Sequence, residues 1–154
     1  MNWWHLFFSF DGRITRQDFW LGMALIAGVE LLVMVPAASQ GAVDLSPGQI
    51  PLWFRNLSLG LDVLLAWPLA AILVKRLQDR DQPPVFALYA VGMLLLYSAL
   101  DAFGLLTQGR EASLLAYIIG LPLLAVFVVV IVELGMRRGT EGPNRFGPDP
   151  LQKT

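Results

Sequence analysis

The chain has 154 residues, of which 56% are hydrophobic and only 15% charged, against about 25% charge in an ordinary soluble domain. A mean hydropathy of +0.60 and apolar blocks too long for any core helix exclude a soluble globular domain and point to an integral membrane protein. A net charge of −1 speaks against a nucleic-acid partner, and the absence of cysteine excludes disulfides, thiolate metal sites and a cysteine nucleophile.

At the N-terminus, Trp4, Phe7 and Phe8 recur at helical spacing beside Trp3 and Phe10, which predicts a short helix lying at the membrane interface. The first 18 residues lack a basic stretch followed by an apolar one, so no cleavable signal is expected. Asp11-Gly12 reads as a turn, and Thr15 with Asp18 predicts a capping pair at the start of the first span. Arg13 and Arg16 stand at that same helix start, where the dipole does not favour cations, so an anion or a carboxylate partner is expected for them.

Four segments, at about 19–38, 57–74, 85–106 and 112–136, approach or exceed the roughly 20 helical residues that cross a hydrocarbon core. The expected fold class is all-α and integral to the membrane. It is a four-transmembrane-helix bundle forming one domain over 1–154, with the short N-terminal interfacial helix and a compact cytoplasmic C-terminal tail over 137–154. The second span is the shortest and has Leu52, Trp53 and Phe54 available to lengthen it. Pro68 and Pro122 are expected to bend their helices, and the Ala24–Gly28 spacing predicts a close helix approach.

Each span carries one carboxylate: Glu30, Asp62, Asp101 and Glu133. Glu30 lies about 17 Å beyond Phe19 at 1.5 Å per residue, which makes it the deepest. Ionisable groups at such depth are costly, so Glu30, Asp62 and Asp101 are candidate intramembrane acids for a proton or cation pathway.

Nine of the eleven basic residues fall on one side of this threading: Arg13, Arg16, Lys75, Arg76, Arg80, Arg137, Arg138, Arg145 and Lys153. Only Arg55 and Arg110 fall on the other, so both termini are expected in the cytoplasm. The segment "KRLQDRDQPP" places Lys75 and Arg76 within one helical turn of Asp79, where either can pair with it. The tail segment "GTEGPNRFGPDP" is dense in glycine and proline. With Phe146 as a ring to bury, it reads as a compact loop folded back on the helix ends.

Three stretches, "FDGRITRQDFW", "KRLQDRD" and "GPNRFGPDP", together resemble the signatures of a family of small bacterial inner-membrane proteins, the YhaH-like domain of unknown function 805. The resemblance covers nearly the whole chain and implies a location in the bacterial inner membrane. It marks Gly12, Arg13, Arg16, Phe19 and Trp20, then Arg76, Leu77 and Asp79, then Gly142, Asn144, Phe146, Gly147, Pro148, Asp149 and Pro150. Lys75 departs from the family's arginine and Gln78 from its histidine, so proton transfer at Gln78 is not expected. The resemblance implies no biochemical activity.

All three motifs fall on one face in this threading. Arg13, Arg16, Arg76, Asp79, Asn144 and Asp149 are therefore expected to form a polar cluster that folds the tail over the helix ends. The expected role is structural or interactive: contact with the lipid bilayer, and binding of an anionic lipid or another membrane protein. Homo-oligomers are compatible with the chain. The alternative is a small transporter or channel for protons or cations using the intramembrane acids. With one histidine, His5, and no nucleophile, phosphate-loop or metal motif, neither catalysis, a cofactor nor a metal is expected.

Overall fold

The computed structural model describes residues 2–39, 50–108 and 111–152. Arg110 and Lys153 lie outside the described residues. In chain order the elements are α1 (Trp3–Phe8), α2 (Arg16–Ser39), α3 (Leu52–Asp79), α4 (Val85–Ala102), β1 (Thr107–Gln108), β2 (Glu111–Ala112) and α5 (Leu114–Val129). A π-helical segment, Val130–Met136, continues α5 without a break. The described chain is thus almost wholly helical, and four of its helices are long and apolar enough to cross a membrane.

The helix boundaries follow from local chemistry. The Thr15 hydroxyl accepts the Asp18 amide at 3.1 Å and the Asp18 carboxylate accepts the Thr15 amide at 3.3 Å, a reciprocal cap that starts α2. The second span is much longer than 57–74. It begins at Leu52 and stays helical to Asp79, because the polar residues beyond Val74 find buried partners. The third span ends at Ala102 rather than 106. Gly104 adopts φ +73°, its amide donates to the Asp101 carbonyl at 2.8 Å, and the Leu105 amide reaches the Leu100 carbonyl at 2.9 Å. The antiparallel β1–β2 pair follows, with Thr107 opposite Ala112 and Gln108 opposite Glu111. Ser113 then caps α5 by accepting the Ala116 amide at 3.3 Å, so the fourth span starts at Leu114 rather than 112. Besides Pro68 and Pro122, α2 contains Pro36.

The core lies at one end of the bundle, around the second half of α3. Every residue from Ala70 to Asp79 is buried, so this stretch is enclosed on all sides. Leu6, Ile14 and Phe19 cover it from the N-terminal side, Ala87, Ala90 and Val91 from α4, and Val126, Val130 and Leu134 from α5 and the π segment. The close helix approach occurs at Gly22, two residues before the expected Ala24–Gly28 pair. A Cβ added at Gly22 would lie 2.6 Å from Ile72 Cδ1, whereas Gly28 has nothing within 4 Å.

Candidate functional site

The start of α2, the end of α3, the π segment and the tail meet at the core end of the bundle. Gly12, at φ +90°, turns the chain so that Arg13 points back to α3. Arg13 Nε donates to Asp79 Oδ1 at 3.0 Å, while its terminal nitrogens donate to the carbonyls of Gly142 at 2.7 Å and Thr140 at 2.6 Å. One guanidinium therefore ties α3 to the tail. Arg76 pairs with the other oxygen of Asp79, and both arginine side chains are 1% exposed. Asp79 is paired with the two arginines and not with Lys75. Sequence spacing allowed that pair. Lys75 instead donates to the carbonyls of His5 and Leu6, the latter at 2.6 Å, and pins α1 to α3.

A helix end leaves carbonyls without intrahelical donors, and side chains here meet five in succession. Glu133 O accepts from Arg80 at 2.7 Å, Leu134 O from Arg76 at 2.7 Å and Gly135 O from Trp20 Nε1 at 3.1 Å. Met136 O accepts from Arg16 at 3.2 Å, and Arg137 O from Arg76 at 2.6 Å. Arg80 and Arg137 also pair with the Glu133 carboxylate, the latter at 2.9 Å. The tail does the same for α3. Thr140 donates to Asp79 O at 2.8 Å through its amide, and Asn144 Nδ2 donates to Gln78 O at 2.9 Å. The Gln78 side-chain oxygen is buried with no hydrogen-bond partner, although glutamine is able to bond there. Asp149 accepts the Gly142 amide at 3.0 Å and the Leu151 amide at 2.9 Å, and these two amides hold its carboxyl below the usual aspartate range.

All six residues singled out from the sequence thus meet at this end, with Arg16 at the rim. Sequence reasoning missed Lys75 as the anchor of α1, Thr140 as a cap for α3, Arg80 as the partner of Glu133, and Arg145, which pairs with Asp81 at 3.0 Å. The one signal for them was the density of cations after Val74.

Between the start of α2 and the tail lies a cavity of about 400 Å³, whose walls include Thr15, Arg16, Arg138, Thr140, Glu141 and Asp149, with Arg76 and Asp79 beneath. Its charges are unequally committed. Asp79 is held by two arginines and Asp149 by two amides. Arg16 and Arg138 are exposed, and among the described residues neither pairs with a carboxylate, leaving Glu141 as the counterweight. The intramembrane acids are only partly gathered. The Glu30 and Asp62 carboxyls meet, and Ser98 donates to Asp62. Asp101 stands in the last turn of α4, where its backbone carbonyl accepts from Arg55 at 3.3 Å. Among the described residues no cluster of metal-ligating side chains occurs.

The family model described as protein of unknown function (DUF805) matches residues 7–148, which include the first two polar motifs of this end and the third as far as Pro148. The chain belongs to this family. DUF805 relatives include the uncharacterized protein YiiR of Escherichia coli, strains K12 and O157:H7. Each is 33% identical over 147 residues, covering 92% of this chain and 86% of the relative. No solved structure matches the chain.

Proposed function

We propose that this DUF805 protein is a multi-pass protein of the bacterial inner membrane with both termini in the cytoplasm. In this reading its clamped end is an interaction site that binds a phosphate-bearing anion. The observation that carries the proposal is the pair of exposed guanidiniums, Arg16 and Arg138, facing a cavity whose deeper carboxylates are already neutralised or hydrogen-bonded. Planar guanidinium forks suit phosphate oxygens, and each charge-assisted bond contributes about 1.5–3 kcal/mol. Native mass spectrometry of the gently solubilised protein tests it. Wild type should retain an anionic adduct, and the Arg16→Ala/Arg138→Ala variant should lose it by about tenfold or more. Arg145→Ala, which removes exposed contacts with Asp81 and the Phe146 ring outside the cavity, should leave the adduct in place. Equal adducts in all three would dismiss the site.

A second reading, a proton or cation pathway, is supported by the contact between Glu30 and Asp62. It requires uptake into liposomes that stops in Glu30→Gln and persists in Arg16→Ala. Uptake indifferent to Glu30 would remove it.

A further inference from the structure

The cavity does not end at the arginines. Arg16 and Gln17 are also walls of a second, open groove, completed by Trp20, Leu21 and Gly135. A polar chamber and a shallow, largely apolar surface groove therefore share one rim. Trp20 lies four residues beyond Arg16, about 6 Å further along the helix axis. The groove so descends from the polar end of α2 into its apolar stretch.

Its floor is built for that shape. Gly135 has no side chain, and a methyl there would overlap the Trp20 ring, so the indole lies flat against the π segment. The indole N–H is fixed on the Gly135 carbonyl at 3.1 Å. Trp20 is 45% and Leu21 43% exposed, which leaves an apolar trough open to the side of the bundle. A free phosphate would use the chamber and have no use for the trough. A molecule with a phosphate at one end and an acyl chain at the other would use both.

We infer that the Arg16–Arg138 chamber and the Trp20–Leu21–Gly135 groove form one site for an anionic phospholipid. Its phosphate would sit between the guanidiniums, and one acyl chain would lie along the groove. The inference rests on the anion-binding reading of the chamber and adds the source of the anion. The lipid enters sideways from the leaflet rather than from the aqueous phase.

The test titrates the detergent-purified full chain with phosphatidylglycerol, phosphatidylcholine of the same chains, and glycerol 1-phosphate, read by native mass spectrometry. Phosphatidylglycerol should bind about tenfold or more tighter than either comparison, a margin that one charge-assisted contact or two buried methylenes can supply. Leu21→Trp, which fills the trough without altering charge, should abolish most of that margin and leave glycerol 1-phosphate binding unchanged. Leu21→Ala, which removes the trough wall, should weaken phosphatidylglycerol in the same direction and decides the matter if the tryptophan variant melts early. Glycerol 1-phosphate bound as tightly as phosphatidylglycerol, with both Leu21 variants silent, would overturn the lipid inference and leave the anion reading standing. Phosphatidylcholine bound equally well, or no anion bound better than by Arg16→Ala/Arg138→Ala, would overturn both.

Discussion

Asp79 is the residue on which the clamped end turns. Its carboxylate is 4% exposed and pairs with two buried guanidiniums at once, so removing it leaves both cations without their shared counter-charge. Breaking a buried ion pair from one side costs about 3–5 kcal/mol. Asp79→Ala should therefore lower the thermal midpoint of the whole protein in detergent by several degrees. Arg13→Ala should be more local, because Arg76 still neutralises Asp79 while the tail loses the donor to Gly142 and Thr140. Limited proteolysis should then cut the tail sooner with the helices intact. Gly139 belongs to the same device: a methyl there would overlap the Asp79 carboxylate, so Gly139→Ala should resemble Arg13→Ala in the proteolysis assay. Asp149 adds a pH dependence. Its folded carboxyl titrates below the usual value because the Gly142 and Leu151 amides bond to the charged form. Tail docking thus has the full contribution above the ordinary aspartate pKa and loses it as pH falls through the depressed one. The protection factor of the Gly142 amide against hydrogen exchange should fall over that acidic window, and Asp149→Asn should flatten the response.

At the scale of elements, the second half of α3 is a buried post to which the other pieces are tied by cations. Lys75 fastens α1, Arg76 the π segment, and the carbonyls of Gln78 and Asp79 fasten the tail. Lys75→Met keeps the stem that packs in the core but leaves the His5 and Leu6 carbonyls without their donor. Each unsatisfied buried group costs about 1–3 kcal/mol, so α1 should detach before the bundle melts. Quenching of the Trp3 and Trp4 fluorescence by an aqueous quencher should rise. Unchanged quenching would mean that Leu6, 2% exposed, suffices as the anchor.

Much of this architecture was legible in the chain. Hydropathy shows the four helices, the Thr15–Asp18 pair shows where α2 starts, and the arginine, aspartate and asparagine positions show which groups gather. Three features were not legible, each for a physical reason. The extension of α3 was hidden because charged residues read as a helix end, whereas here they are buried against carbonyls. The π segment leaves no periodic signal over seven residues. The turn at Gly104 was masked by the apolar residues Leu105 and Leu106, which extend the hydropathy block past the true helix end.

The whole molecule carries two asymmetries. Only 11% of the apolar windows of α2 and of the α5 helix is buried within the chain, so their outer faces require lipid or a partner. The described cations are also concentrated at the clamped end, while Arg55 is buried near β1, where it donates to Thr107 Oγ1 at 3.4 Å. Several end cations are neutralised in the fold, yet insertion precedes folding, so it is the sequence count that sets sidedness. That places the clamped end in the cytoplasm under the proposed topology, and the absence of native cysteine makes the proposal directly measurable. Glu111→Cys in the hairpin and Leu151→Cys in the tail each introduce a sole thiol at an exposed position on opposite ends of the threading. In intact cells made permeable only at the outer membrane, a membrane-impermeant maleimide should label Glu111→Cys and spare Leu151→Cys. Lysis should then make Leu151→Cys reactive. The reverse pattern would put the arginine-lined chamber outside, facing the wrong leaflet for a cytoplasmic ligand. Labelling of both in intact cells would mean that α5 and its π continuation do not cross the membrane between the hairpin and the tail.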